Sequence, residues 1–364
     1  MKTVLCVVGT RPEAIKMAPV ILALRREPWA RVRVLATAQH RQMLDQVLGL
    51  FAITPDVDLD LMRPDQDLAD LTARMLVALD GALRAEPPDL VLAQGDTTTV
   101  LAAGIASFYR RVPFGHVEAG LRTGDTANPF PEEMNRTIAS RLARFHFAPT
   151  AAARASLRRE GIDDAAIHVT GNTVIDALLQ VAEREVPIGV PLDPGKRLVL
   201  VTAHRRESFG APLRAAFTAL RALAARNPGV QVLYPVHPNP NVAGPAREIL
   251  GGQPGIVLCE PLEYGPFVSA MKRAFFVITD SGGVQEEAPA LGKPVLVLRQ
   301  ETERPEAVAE RVVKLVGTSE ERILQEAQRL LDDASAYRAM ARGVSPYGDG
   351  HAAERIVGVL RGMP

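Results

Sequence analysis

Short, unbroken runs of β-branched and aliphatic residues, each followed after a brief turn by a stretch of helical spacing, recur along this 364-residue chain and leave few folds open. Residues 3–8 (TVLCVV) are the first run, and 12–26 then place apolar residues at helical intervals. The unit repeats as 31–38 into 41–50, 89–93 into 98–109, 113–117 into a loop and 132–144, and 145–148 into 151–160. A strand that is apolar on both faces has to be covered on both, which predicts a parallel sheet with helices on each side. After Gly171 the pattern restarts, and 197–202, 230–236, 256–259, 275–279 and 294–298 read as five further buried strands. One hydrophobic core stops growing near about 250–300 residues, so the repeat and the length together predict two Rossmann-like domains. They are placed at 1–171 and 172–351, with a Pro- and Gly-rich connection over 186–196.

Charge and cysteine content exclude several classes. Lys plus Arg and Asp plus Glu number 42 each, so no net field draws the chain to nucleic acid or to anionic lipid, and any basic site has to be local. Cys6 and Cys259 are too few and too far apart for a disulfide framework or a zinc cluster, which predicts a reducing cytoplasm. The first apolar run meets Arg11 and Glu13 at once and is too short for a signal peptide. No stretch approaches the roughly 18 apolar residues of a membrane span.

In open parallel sheets ligands sit at the carboxyl ends of the strands, so the residues just after each run carry the chemistry. Gly9-Thr10-Arg11-Pro12-Glu13 follows the first strand; it reads as a plain strand-to-helix turn or, with Arg11 and Lys16 on it, as an anion site. Asp280-Ser281-Gly282-Gly283 follows the strand at 275–279, where backbone amides at a helix start could close on a phosphate; a capped helix is the other reading. Glu287, one turn on, is placed to accept ribose hydroxyls. Neither loop is G-x-G-x-x-G or a Walker P-loop, so a dinucleotide redox enzyme and a P-loop nucleotidase lack their fingerprints.

Four further loops carry ionisable groups: Asp96 in QGDTTT, Glu118 in HVEAG, Glu132 and Glu133 after Pro131, and His204 in TAHRRE. Asp96 alone could be a helix cap, and Glu133 reads better as a solvated helix face. Carboxylates sharing a site raise one another's pKa and can serve as acid and base. A metal is discounted: the histidines have no ligand spacing and His204 adjoins two arginines.

Across the whole chain GTRPEAIKMAPV (9–20), QGDTTT (94–99), HVEAGLRTGD (116–125), PEEMNR (131–136), GNTVIDAL (171–178), TAHRRESFG (202–210), YPVHPNP (234–240) and DSGGVQEEAP (280–289) resemble the non-hydrolysing UDP-N-acetylglucosamine 2-epimerases. The resemblance implies the two-Rossmann-domain GT-B arrangement with the active site in the interdomain cleft, a homodimer, and a C-terminal helix (about 352–364) that returns to the first domain. It implies interconversion of UDP-GlcNAc and UDP-ManNAc with no cofactor, supplying precursors of cell-surface polysaccharide. By motif position it places Arg11, Lys16, Asp96, Glu118 and His204 at the substrate, with Asp96, Glu118 and Glu132 as catalytic carboxylates. Ser281, Gly282 and Gly283 fall at the diphosphate, Glu287 at the ribose, Leu262 and Phe267 at the uracil, and Arg304 on the nucleotide side. Some members take a second UDP-GlcNAc as allosteric activator, and Gln39, Arg205 and His237 match residues used there.

The chemistry fits these residue types. A hexose C2 proton is not next to a carbonyl, so loss of UDP from C1 is the way to acidify it, giving 2-acetamidoglucal, to which UDP adds back with a proton delivered to the opposite face. Asp96 is the expected base, with Glu118 and Glu132 in proton return. A GT-B glycosyltransferase, a hydrolysing 2-epimerase and a non-catalytic UDP-sugar-binding regulator are the alternatives that the same loops leave open.

Overall fold

The apolar runs become strands with no solvent-facing side, as in the segment from Leu90 to Gln94, where all five residues are buried. The computed structural model describes residues 1–37, 41–63 and 67–363. In chain order the first elements are β1 Lys2–Val8, α1 Arg11–Arg25, β2 Ala30–Ala36, α2 Arg41–Leu50, β3 Val57–Asp58, α3 Leu68–Ala85, β4 Leu90–Gln94, α4 Thr98–Arg110, β5 Phe114–Val117, α5 Glu132–Leu142, β6 Phe145–Ala148, α6 Ala151–Arg159, β7 Ile167–Val169 and α7 Thr173–Ala182. They continue as β8 Arg197–Thr202, α8 Ala211–Arg226, β9 Val230–Pro235, α9 Pro240–Leu250, β10 Ile256–Cys259, α10 Tyr264–Arg273, β11 Phe276–Thr279, α11 Gly282–Ala290, β12 Val295–Val297, α12 Pro305–Ala309, β13 Val313–Leu315, α13 Glu320–Asp332, α14 Ala334–Met340 and α15 Ala352–Arg361.

Two compact units result: Met1–Ala177 with the chain from Tyr347 onward, and Leu178–Pro346. The first holds a seven-stranded sheet in the order β3-β2-β1-β4-β5-β6-β7, the second a six-stranded sheet in the order β10-β9-β8-β11-β12-β13. Every pairing is parallel. This is the doubly wound α/β class that the alternating pattern predicts. Each sheet has one switch point, between β1 and β4 and between β8 and β11, where the chain starts outward on one side and returns on the other. The strands absent from the sequence reading, β3, β7 and β13, are two or three residues long at sheet edges and too short to carry a pattern.

The division between units falls inside α7, after Ala177, and not in the Pro- and Gly-rich segment read as the connection. That segment belongs to the second unit, where the Asp193 amide donates to Gln231 Oε1 at 3.0 Å and Arg273 donates to the Asp193 carbonyl at 2.6 Å. The first unit keeps the start of α7 because the Asn172 amide donates to the Tyr347 carbonyl at 2.6 Å. One turn on, the buried Asp176 carboxylate accepts the Ala352 and Ala353 amides at 3.2 and 2.8 Å and so caps α15, which packs on α1. Arg361 adds an ion pair to Glu27 at 2.8 Å.

A helix start capped by a carboxylate from another element is expected to fray when the cap is lost. Asp176→Ala should weaken the α15 terminus by about 2 kcal/mol, the upper range for a cap, and so speed amide exchange across Ala352–Arg361 about thirtyfold. Exchange in α15 that matches wild type would show the cap to be idle.

Candidate functional site

In the first unit the switch point collects the turns after β1, β4 and β5. Glu118 sits directly after β5 at φ +63°, in the left-handed region that a non-glycine residue occupies only when its surroundings hold it there. The backbone beyond explains the HVEAG string: the Ala119 amide donates to the Phe147 carbonyl at 3.0 Å, and Gly120, at φ +92°, passes so close to the Ala153 carbonyl that a side chain would collide with it. Three donors from three other elements meet the Glu118 carboxylate. Lys16 of α1 reaches both oxygens at 2.6 and 2.8 Å, Asn172 donates to Oε1 at 2.8 Å, and Gln94 at the end of β4 donates to Oε2.

Asp96 follows β4 by two residues. It is not the helix cap that its position allows: the N-cap of α4 is Thr97, and the Asp96 carboxylate instead pairs with Arg136 of α5 while Asn135 donates to its carbonyl at 2.9 Å. Burial, the largest cause, raises the Asp96 pKa above the ordinary carboxylate range, and the Glu118 charge adds to this against Arg136 and Lys16. Glu132 opens α5, half-buried and one turn ahead of Arg136, on the same helix face. Glu133 is a correction: it is 2% exposed, not a solvated face, and its Oε1 accepts the Thr123 and Gly124 amides at 2.9 and 3.0 Å while Arg136 lies 3.3 Å from Oε2. Arg11 is the first residue of α1, half-buried; Lys16, one turn on, is engaged by a carboxylate.

His116 underlies this group. Its Nε2 lies 2.7 Å from the Gly95 carbonyl, which only accepts, so that nitrogen carries the proton. Burial pushes the ring's pKa down to about 4.

The second unit gathers a different chemistry at its own switch point. Asp280, just after β11, accepts the His204 and Arg205 amides on Oδ2 at 2.6 and 2.8 Å, which ties the β8 turn to the β11 turn. His204 Nδ1 lies 3.4 Å from Asp280 Oδ1, and the His204 ring stacks on His237 with centroids 5.4 Å apart. Burial lowers the His204 pKa, with Asp280 working against it. Ser281 is the N-cap of α11 but makes no side-chain cap bond, which leaves its hydroxyl for other use. A side-chain carbon at Gly282 would lie 3.8 Å from an Arg205 guanidinium nitrogen and 3.9 Å from the Arg304 guanidinium carbon. Two guanidinium groups beside the free amides of a helix start are the makings of an anion site. Arg304 is held there by Glu286. Glu287 is buried and accepts from the Tyr264 hydroxyl at 2.9 Å, and Leu262 and Phe267 flank that tyrosine in sequence, both half-buried.

The structure thus brings Lys16, Asp96 and Glu118 together in the first unit, and His204, Arg205, His237, Ser281, Gly282 and Arg304 in the second; Gln39 lies outside the described residues. Arg205 lies with Arg304 over the α11 start. Sequence reasoning passed over Tyr264 and also Glu13, Gln94, Arg136, Asn172 and Asp280, the last five inside the quoted motifs but with polarity that also suits a turn or a helix face. Among the described residues no group of three or more His, Cys, Asp or Glu is placed to hold a metal ion, and no helix is long and apolar enough to cross a membrane.

Residues 22–361 match the family model for UDP-N-acetylglucosamine 2-epimerase. The chain belongs to that family. The UDP-N-acetylglucosamine 2-epimerase of Escherichia coli K12 is 52% identical over 98% of each chain. The crystal structure of UDP-GlcNAc 2-epimerase from Neisseria meningitidis bound to UDP-GlcNAc superposes with a TM-score of 0.88 at 45% identity, covering 99% of both chains. The Methanocaldococcus jannaschii enzyme in complex with UDP-GlcNAc and UDP gives 0.80 at 31% identity, again over 99% of each. The match runs through both units of this epimerase-family chain, so neither half is an addition to the fold.

The burial of His116 gives a direct check. With its pKa near 4, the ring should keep its neutral proton NMR shifts from pH 8 down to about pH 5, where an exposed histidine has already gained a proton. A midpoint near 6.5 would show the ring to be hydrated.

Proposed function

We propose that the protein is an isomerase that interconverts UDP-GlcNAc and UDP-ManNAc by eliminating UDP to 2-acetamidoglucal and adding it back, with no cofactor. The observation that carries this reading is the pairing of two chemistries within one epimerase-family chain: linked carboxylates at the first switch point and an anion cradle at the second. The second unit takes the nucleotide, with Ser281, Gly282, Gly283, Arg205 and Arg304 at the diphosphate, Glu287 at the ribose, and Leu262 and Phe267 at the uracil. His204 and Arg11 complete the stabilisation of the leaving diphosphate.

Asp96 is the base. Its raised proton affinity suits a group that must take a proton from carbon and give it up again. In the forward step the C2 proton passes to a carboxylate, the C2–H electrons form the C1–C2 double bond, and the C1–O electrons leave with UDP. In the return the double bond takes a proton on its opposite face while a diphosphate oxygen bonds to C1. Glu118 departs from the proton-return role expected for it: Lys16, Gln94 and Asn172 already fill its oxygens, so it serves as a fixed negative charge facing the oxocarbenium-like C1. Glu132, with fewer demands on it, returns the proton.

Proton NMR in D2O tests the whole scheme. Purified protein given UDP-GlcNAc should form UDP-ManNAc bearing deuterium at C2, and Asp96→Asn should slow this at least about a hundredfold while still binding UDP. Free ManNAc and UDP as main products would instead favour the hydrolysing reaction, and near-normal turnover by Asp96→Asn would remove it from the mechanism.

The chain is further proposed to act in the cytoplasm as a homodimer. Val77 on α3 and Phe108 and Tyr109 on α4 are 74%, 63% and 65% exposed on adjoining helices, a large outlay of apolar surface for a lone chain. Light scattering should give twice the chain mass for wild type and the single mass for a Phe108→Glu, Tyr109→Glu variant; a monomeric wild type would end this proposal.

A further inference from the structure

Beneath the carboxylate group lies a fourth acid that the scheme above leaves unused. Glu13 is 2% exposed, and its carboxylate accepts each of the bonds it makes among the described residues. Its Oε2 takes the Gly9 and Thr10 amides at 2.6 and 2.8 Å, and its Oε1 takes the Thr97 hydroxyl. Thr10 and Glu13 form a capping box for α1, which accounts for the Thr10 bond alone. The Gly9 bond reaches back to the residue just after β1. The Thr97 bond crosses to the turn after β4, and Thr97, the N-cap of α4, makes no side-chain bond to its own helix, so its hydroxyl is committed to Glu13.

We propose that Glu13 is a positioning residue for this reaction: its buried carboxylate bridges the ends of β1 and β4 and, through Thr97, holds the adjoining Asp96 in place to act as base. The inference rests on Asp96 having that role. The Gly9 and Thr10 amides can only donate, and the ionised carboxylate is the form that accepts from both of them and from the Thr97 hydroxyl at once. Once protonated on Oε1, the acid donates to the Thr97 hydroxyl, which has to turn, and a charge-assisted bond becomes a weaker neutral one.

The charges around the pair come from each element packed there. Lys16, on the same helix as Glu13, is turned to Glu118; Arg136 of α5 is turned to Asp96 and Glu133; Glu118 stands after β5. Burial is the largest influence on Glu13 and pushes its carboxyl up to about 7; the bonds from Thr97, Gly9 and Thr10 pull it down, and the charge of Asp96 raises it. The bridge is therefore charge-assisted above neutral pH and weakened below it.

The pH dependence of kcat and KM for the full-length protein with UDP-GlcNAc reads this out. Wild-type kcat should fall as the pH drops through about 7 and level off about tenfold lower, where Glu13 is neutral. Glu13→Gln, neutral at every pH, should have a kcat at pH 8 about tenfold below wild type, KM within about twofold, and no such fall between pH 8 and 6. Thr97→Val should keep the fall but move it to higher pH, because the ionised acid loses a donor. A wild-type profile without this fall, or a Glu13→Gln profile of unchanged shape, would overturn the proposal. If Glu13→Gln does not fold, an unmoved limb in Thr97→Val does so by itself. Normal turnover by Asp96→Asn would place the failure with the assignment of the base.

Discussion

A glutamate held in left-handed backbone conformation is the constraint on which the first unit's active face depends. Glu118 at φ +63° is unfavourable for a residue with a side chain, by about 1–3 kcal/mol, and persists only where surrounding contacts over-determine it. Those contacts come from Lys16 on α1, Gln94 on β4 and Asn172 ahead of α7. One strained residue thereby fixes the ends of β4 and β5, one face of α1 and the approach to α7. Asn172 in turn carries the Tyr347 contact that brings the C-terminal segment home, so the site and the docking of α15 share an anchor.

The second unit meets the same need with one buried carboxylate. Among the described residues no lysine or arginine is bonded to Asp280; its Oδ2 accepts two backbone amides, those of His204 and Arg205, and these draw the β8 turn against the β11 turn. The consequence is a division of charge. Linked carboxylates mark the first switch point and two converging guanidinium groups the second, although the chain as a whole carries 42 charges of each sign. Net charge is silent about such a site, because the fields that matter act over a few ångströms.

The legibility of the sequence follows the same line. Long two-sided apolar runs such as the one that ends at Gln94 announce the strands, and the residues after them announce where chemistry sits, because doubly wound sheets put it there. Asp96, Glu118, His204 and Ser281 stand out this way as candidates. What stayed hidden is set by contacts distant in sequence: Glu133 reads as surface until the Thr123 and Gly124 amides come back to it, and Glu13 reads as part of a strand-to-helix turn until Thr97 reaches it from more than eighty residues away. The unit boundary stayed hidden for a related reason. A Pro- and Gly-rich segment looks like a connection, but Gln231 and Arg273 pin it into the second unit, and the true division runs through a regular helix.

The proposed chemistry also explains why the anion cradle is built from two guanidinium groups and a helix start and not from one lysine. Breaking the C1–O bond leaves UDP with one more negative charge than it carries in the sugar ester. A cradle that binds the departing diphosphate more strongly than the ester lowers the barrier to elimination, and it also keeps UDP in place while the glycal waits for its proton. Arg205 and Arg304, converging on Gly282 with the α11 amides beneath them, offer forked donors to several oxygens at once, so their attraction grows as charge gathers there. A single ammonium would bind ester and product more nearly alike. Retention of UDP through the intermediate separates an epimerase from a hydrolysing relative, and on this reading that burden rests on the second unit while the first exchanges the proton.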